Sequence, residues 1–277
     1  MKFHLTARMW RRSRRQWYAE IIDAMYACLQ ELGHEVSEGD HLRDDAINVV
    51  FCWQMWERMP ALELSRYRLV AFQSEQLPPG GYLEKAPPWY LESLRQAEAV
   101  WDYSSSNVSV LAAHGIAASW VPFYYHPSLQ FVPTGNIKQD IPILFYGWRS
   151  DRRDNMIERL RPLSIEYFPA GLWGDYRNAV IQRSKIVLNV HWYESALTPH
   201  LRFAPLLANR VAIVSERCVD NPYGDAIAEA DYDELPDLLR YYLEDEHERL
   251  ALAVRGHSRF KNMKFHHALQ EAIKKLP

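Results

Sequence analysis

The segment HWYESALTPHLRF, residues 191–203, follows directly on the apolar run KIVLNV, 185–190, and leads into a second apolar run that ends VAIVSE at 216. A stretch that reads as a buried strand thus breaks into His191, Tyr193, Glu194 and Thr198-Pro199. Thr198 before Pro199 has the form of an N-cap followed by proline at the first helical position, so a helix is expected to start there. Its free amides and positive dipole end, with Arg202 one turn in, would suit a phosphate or diphosphate. The alternative is a capped helix whose Arg202 is solvated or paired with Glu194. A second cluster, FYGWRSDRR at 145–153, lies where another strand turns into a helix. Gly147 would let the chain approach a ligand, and Arg149, Arg152 and Arg153 could meet phosphates bidentately. For Arg152 and Arg153 the competing reading is a solvated helix face paired with Asp154 and Glu158. Neither GxGxxG nor GxxxxGK[ST] occurs.

Other residues could move protons or bind anions. Glu75 and Asp102 each follow an apolar strand and are the first-half carboxylates placed to act as a general base; as N-cap or arginine partner they would be structural, the reading favoured for Asp102. His191 could donate to a phosphate or a sugar hydroxyl, or simply pack. Glu216 ends the strand VAIVSE. The loop RMWRRSRR, with Arg8, Arg11, Arg12, Arg14 and Arg15, could hold an anionic substrate, lie on a membrane surface or be solvated. Trp10, Trp53, Trp56 and His266-His267 read as core or surface residues.

The elements that position these residues alternate. KFHLTAR is a strand; Ile22, Met25, Leu29 and Leu32 fall at helical spacing before a Gly33 stop. AINVVFCW, RLVAFQS and AVWDYS are strands, and WYLESLRQA a helix. The proline-rich segment 121–142 has no periodicity and contains the expected linker, 126–141. Alternation then resumes with PILFYGW, DRRDNMIERLRP, LSIEYFP, DYRNAVIQRS, KIVLNV, the Pro199 helix and VAIVSE, followed by one long helical stretch. Strand–helix–strand repetition means parallel sheets, so the fold class is α/β with two Rossmann-like halves: residues 1–125, 142–255, and a C-terminal helix within 256–277. Ligands of such sheets bind at the carboxyl ends of the strands, which is where the candidate residues fall.

The 277 residues suffice for two domains with real cores. A net charge of −3 argues against a protein devoted to gripping nucleic-acid backbones. Cys28, Cys52 and Cys218 are far apart and odd in number, which fits neither a disulfide framework nor a zinc site and suggests a reducing, cytoplasmic setting. No apolar run approaches the roughly 18 residues that span a bilayer.

FYGWRSDRR, RSKIVLNVHWYE and TPHLRFAPLLANRVAIVSE, in this order and spacing, resemble the C-terminal half of bacterial nucleotide-sugar glycosyltransferases of the two-domain GT-B class, close to family one. FQSEQL, AVWDYSSSN and VPFYYHPSL resemble the first half of such chains. The resemblance implies two Rossmann-like domains facing across a cleft, with a C-terminal helix crossing back to the first. It also implies a nucleoside-diphosphate sugar held mainly by the second domain, an acceptor glycan, lipid or small molecule held by the first, and no required metal or other cofactor. Carried over, Gly147 and Arg149 fall in the loop that approaches the donor phosphates, Thr198, Pro199 and Arg202 at the receiving helix, and Glu216 at the matching strand end; Arg153, Tyr193 and Glu194 complete the expected donor site. Glu75, Arg202 and His191 are the expected catalytic residues. One departure stands out. The family pattern R-x-F-E-A-L-A-x-G places a donor-binding glutamate where this chain has Pro205, and a glycine where it has Arg210. Sugar transfer from such a donor to an acceptor hydroxyl is therefore the expected activity, with a catalytically silent nucleotide- or partner-binding module as the alternative and glycosylation of modified DNA bases as a weaker one. The expected location is the cytoplasm, with membrane contact through Arg11, Arg12, Arg14 and Arg15.

Overall fold

The computed structural model describes residues 1–7, 18–55, 65–130, 137–169 and 172–277. The arginine-rich loop, Arg8 to Arg15, and Trp56 lie outside the described residues. The chain divides into two units: Met1–Ser128 together with Lys264–Pro277, and Leu129–Met263.

The first unit is built on a six-stranded sheet with the order β2-β1-β3-β4-β5-β6. The strands are β1 (Lys2–Thr6), β2 (Glu35–Glu38), β3 (Ile47–Val50), β4 (Arg68–Gln73), β5 (Ala99–Asp102) and β6 (Ala118–Trp120), and every pairing is parallel. β3 and β4 are mainly apolar, Asn48, Arg68 and Gln73 excepted, as strands of a parallel sheet covered on both faces are; all of β3 and all but Arg68 of β4 are buried. The Ala19–Glu31 helix turns Ile21, Ile22, Met25 and Leu29 inward and stops at Gly33, whose φ of 81° an L side chain disfavours. The helix Phe265–Ile273 belongs to this unit: Phe265 closes an aromatic column through Phe123 and Phe72 to Phe51, with centroid separations of 6.1, 5.1 and 5.0 Å.

The second unit carries a five-stranded parallel sheet, order β11-β10-β9-β7-β8, from β7 (Ile141–Tyr146), β8 (Ile165–Phe168), β9 (Ser184–Asn189), β10 (Ile213–Glu216) and β11 (Ala228–Ala230). Its core joins Ile143, Phe145, Ile186, Leu188 and Val214 to Met156, Leu160, Leu235, Leu239 and Leu252 from the flanking helices.

Three expectations change. Strands β2, β6 and β11 and the helix Ser105–Ala113, capped by Ser104 Oγ, were not among the expected elements. The long terminal helical stretch breaks at Asp245, which caps a new helix, Glu246–Lys261, while Arg249 Nη1 donates to the Tyr242 carbonyl that ends the preceding one, Leu235–Glu244 (2.8 Å). The helix expected from Pro199 begins at His200, and Thr198 does not cap it: its hydroxyl is buried without a partner.

Candidate functional site

In the second sheet the chain runs from β7 outward to β8 and then back past β7 to β9, so strand order reverses between β7 and β9. That reversal opens a crevice beyond the strand ends, and two guanidinium groups straddle it. Arg202 donates from Nη2 to the Tyr146 carbonyl at the end of β7 (2.7 Å) and from Nη1 to Asn189 Oδ1 at the end of β9 (2.6 Å). Arg153 donates from Nη1 to the Trp148 carbonyl after β7 (2.9 Å) and from Nε to the Val190 carbonyl after β9 (3.0 Å). Gly147 lies between them. With φ of 148°, its backbone passes so close that a Cβ there would sit 2.9 Å from Arg202 Nη2 and 3.3 Å from Arg153 Nη1.

This arrangement is electrostatically unbalanced. Neither arginine forms an ion pair among the described residues, and both are packed over aromatic rings, Arg202 5.0 Å from the Tyr146 centroid and Arg153 5.3 Å from that of Trp192. Burial pushes the Arg153 guanidinium down to about 9, the adjacent Arg202 charge adding to the effect, and burial also lowers Arg202. Each guanidinium has five N–H groups and about three left after the bonds named above. Two like charges held together in a partly desolvated crevice with spare donors form a receptor for a polyvalent anion.

Around this pair the other candidates take distinct places. Arg149 is exposed and ion-paired with Asp154 (3.0 Å). Arg152 forms a bidentate pair with Glu216 and stacks 4.0 Å over the Tyr232 ring. The solvated-face reading of Arg152 and Arg153 is therefore overturned: one is buried in the crevice and the other is held by an acid two strands away. Arg202 likewise turns inward instead of pairing with Glu194, which is exposed. Glu216 is spoken for, because besides Arg152 it accepts from the His191 backbone N–H (3.0 Å). His191 is buried and its Nε2 lies 3.1 Å from the Arg217 carbonyl. That contact requires the proton on Nε2, so the neutral ring spends its one N–H on the backbone; burial lowers its pKa. Tyr193 lies in the tight turn that leads into Ala196, whose φ is 49°.

The helix His200–Ala208 contributes less to anion binding than its position promised. The amides of His200, Arg202 and Phe203 are bonded to the carbonyls of Thr198 and Pro199, and the Thr198 amide donates to Asp220 Oδ1 (2.9 Å). The guanidinium groups, not a row of free amides, are the donors on offer. Pro205 is buried within this helix, and Arg210 adopts a φ of 55° immediately after its C-cap, Asn209. The family's glycine at that position is thereby explained, since the conformation is one that glycine enters without strain.

Asn189 and the exposed Trp148 and Trp192 (54% and 44%) complete the crevice. Asn189 had a signal in the sequence, as a lone amide closing an apolar strand; it also donates from Nδ2 to Ser215 Oγ (3.0 Å), which fixes the oxygen that holds Arg202.

In the first unit, Glu75 follows β4. Gln54 Nε2 donates to its Oε1 (2.8 Å), and its main chain is pinned by Gln73 on both sides and by Asn107 Nδ2 (2.8 Å). Asp102 is fully buried and accepts from Gln73, Asn107 and the Ser104 amide, so it organises this loop. Among the described residues, no group of three His, Cys, Asp or Glu side chains could hold a metal ion, and no helix is long and apolar enough to cross a membrane.

The family model described as glycosyl transferase-like matches residues 128–274, more than half of the chain. No curated protein matches the sequence. Among solved structures the chain is similar to an α,α-trehalose 6-phosphate synthase from Burkholderia multivorans, with 13% identity, TM-score 0.57 and coverage of 97% of this chain and 77% of that one. It is also similar to T4 phage BGT in complex with its UDP-glucose substrate, at 14% identity and TM-score 0.61, covering 99% of both chains. An α-glucosyltransferase in complex with UDP and a 13-mer DNA containing an HMU base matches at 9% identity and TM-score 0.61, with coverage of 99% and 98%.

Proposed function

This chain belongs to the glycosyl transferase-like family and is a glycosyltransferase of GT-B fold that draws its sugar from a nucleotide sugar; within that chemistry we propose that Arg153 and Arg202 receive the donor diphosphate. The observation that carries this reading is the pair of guanidinium groups across the β7/β9 crevice, neither of them in an ion pair among the described residues. As the bond from the anomeric carbon to the β-phosphate oxygen breaks, its electron pair remains on the departing diphosphate. Preorganised cations aimed at that charge stabilise the transition state more than the ground state. Gly147 admits the phosphates close to the backbone, and Arg149, at the mouth of the loop, can leave Asp154 for a ligand phosphate because an exposed ion pair is worth little. Trp148 and Trp192 supply flat apolar walls beside the charge.

Glu75 is proposed as the base that takes the proton of the acceptor hydroxyl in an inverting transfer, and Arg202 as the residue whose charge matters most to turnover. The Pro205 substitution removes the family's acidic donor contact. Since Glu216 is engaged by Arg152 and His191, the exposed Glu194 is the acid left to replace it. The charge supplied by the two arginines makes a metal dispensable in this proposal. Cys28, Cys52 and Cys218 are buried and not in disulfides; a bacterial cytoplasmic enzyme of glycoconjugate synthesis is the setting proposed.

Calorimetric titration with UDP, GDP, ADP, CMP and dTDP tests the donor site. One nucleotide should bind, Arg202→Ala should weaken it at least about tenfold, equivalent to about 1.4 kcal/mol, and chelation with EDTA should leave both binding and transfer unchanged. Binding without any transfer would make the chain a silent module; binding indifferent to Arg202 would remove the assignment.

A second reading is favoured by one observation. The phage BGT and the α-glucosyltransferase solved with DNA match this chain over nearly their whole lengths, so a modified base in DNA is a competing acceptor. Its signature would be DNA binding that falls steeply with salt.

A further inference from the structure

A guanidinium is a flat group whose five N–H bonds point outward in one plane, while its two faces carry no donors. Such a cation needs acceptors around its rim and a ring or other apolar surface against its faces. Arg153 has two acceptors at its rim, the Trp148 and Val190 carbonyls. Two rings lie within cation–π reach of its central carbon, Phe145 at 5.4 Å and Trp192 at 5.3 Å. Phe145, on β7, is fully buried and also lies 5.6 Å from the Arg202 guanidinium, so one core ring serves both cations. Arg202 has a second ring in its neighbour Tyr146. The second ring of Arg153 is different in kind, because Trp192 comes from the turn after β9 and is 44% exposed.

The turn that carries Trp192 is firmly placed. His191, directly before it, is held twice, by its backbone N–H donating to Glu216 Oε2 (3.0 Å) and by its Nε2 at 3.1 Å from the Arg217 carbonyl. The same Glu216 carboxylate accepts from both Nη groups of Arg152, the residue directly before Arg153. One buried carboxylate thus grips the residue that precedes the ring and the residue that precedes the cation. The charge of Arg202 acts in the opposite sense. Both guanidinium groups come within 3.3 Å of a single point beside Gly147, and two cations so close repel. An arginine side chain has many rotamers, so without a ring to hold it Arg153 would relieve the repulsion by swinging toward water.

We propose that Trp192 is a positioning residue for the diphosphate: its indole covers the Arg153 guanidinium, keeps it beside Arg202 against their mutual repulsion, and leaves the remaining N–H edge for phosphate oxygens. The inference rests on the reading of Arg153 and Arg202 as the receptor of the donor diphosphate. It gives the ring a task that involves neither the nucleobase nor the sugar, since Trp192 acts on the ligand only through the cation it holds.

Inorganic pyrophosphate carries the charge of the diphosphate without base, ribose or sugar, so it isolates this role. Its affinity, and that of the nucleoside diphosphate found to bind, are measured by calorimetry in the wild type, Trp192→Leu, Trp192→Phe and Arg202→Ala. Trp192→Leu should weaken both ligands by the same factor, about fivefold or more, and Trp192→Phe, which keeps a π face, should stay within about twofold of the wild type. Loss of nucleoside diphosphate affinity with pyrophosphate affinity unchanged would make Trp192 a stacking surface for the base or sugar and overturn the inference. A leucine variant that binds both ligands like the wild type, or a phenylalanine variant no better than the leucine one, overturns it too. If the leucine variant does not fold, the emission of Trp192, taken as the wild-type spectrum minus that of Trp192→Phe, still reports: it should change saturably with pyrophosphate, and constant emission sinks the assignment. Pyrophosphate binding that is absent from the wild type, or indifferent to Arg202→Ala, instead removes the phosphate-receptor reading itself, and the role of Trp192 with it.

Discussion

Arg153 and Arg202 show how much of a site depends on which atoms a side chain meets. Their positions after strand ends were visible in the sequence, because an arginine-rich turn after PILFYG and an arginine behind Thr-Pro are local patterns. Their partners were not, since Tyr146, Trp148, Asn189 and Val190 are brought to them only by the parallel pairing of β7 and β9. The same holds for Arg152, whose acid is 64 residues away in sequence. Gly147 is where this packing can be tested. A methyl group there must displace the Arg202 guanidinium from 2.9 Å and must adopt a φ of 148°. Gly147→Ala should therefore cut nucleotide affinity about tenfold or more, about 1.4 kcal/mol, with a cost in stability of about 1 kcal/mol from the backbone strain. Titration calorimetry beside a thermal melt separates the two, and an unchanged affinity would show that the phosphates do not use the guanidinium pair.

Elements were legible where both their faces are buried. β3, β4, β7, β9 and β10 announce themselves as apolar runs because they lie inside their sheets. β2, β6 and β11 were missed because all three are edges, with sequences EVSE, ASW and AEA that carry little apolar material to read. Helices were found by period, and their ends were less secure: the Thr198-Pro199 signal gave a start one residue early because Thr198 is held from outside by Asp220 and not by its own helix. Gly256 marks an element contact that no local pattern encodes. It lies in mid-helix, where alanine is intrinsically better by about 1 kcal/mol, yet a Cβ would come within 2.6 Å of the Ala226 carbonyl and 3.1 Å of a Leu207 methyl. Overpacking of backbone against backbone costs about 1–3 kcal/mol, so Gly256→Ala should be destabilising on balance, by up to about 2 kcal/mol in denaturant unfolding. A stabilised variant would mean that the helix can lift away freely.

At the scale of the whole molecule, acid should be the chief threat to the folded state. His200 is buried, with Nδ1 2.8 Å from the Tyr223 hydroxyl, and burial holds its pKa down to about 4; burial lowers His191 and His4 as well. The unfolded chain takes up a proton at His200 near pH 6.5 and the folded one only near 4. The stabilisation is therefore complete above pH 6.5 and lost as pH falls toward 4. At pH 5 the loss from His200 alone amounts to about 2 kcal/mol. Denaturant midpoints at pH 7 and pH 5 check this, and His200→Gln should flatten the difference; an equally steep loss in that variant would place the sensitivity elsewhere. The first unit has a further property, set by the path of the chain. Residues 129–263 form one uninterrupted stretch, whereas Met1–Ser128 needs Lys264–Pro277, joined beside it where the Phe265 amide meets the Tyr125 carbonyl at 3.1 Å. On the ribosome the segment made first is thus the one completed last. Until Phe265, Leu269 and Ile273 have cleared the exit tunnel, the early sheet waits with part of its core unfilled, while the later segment already has everything it needs to fold.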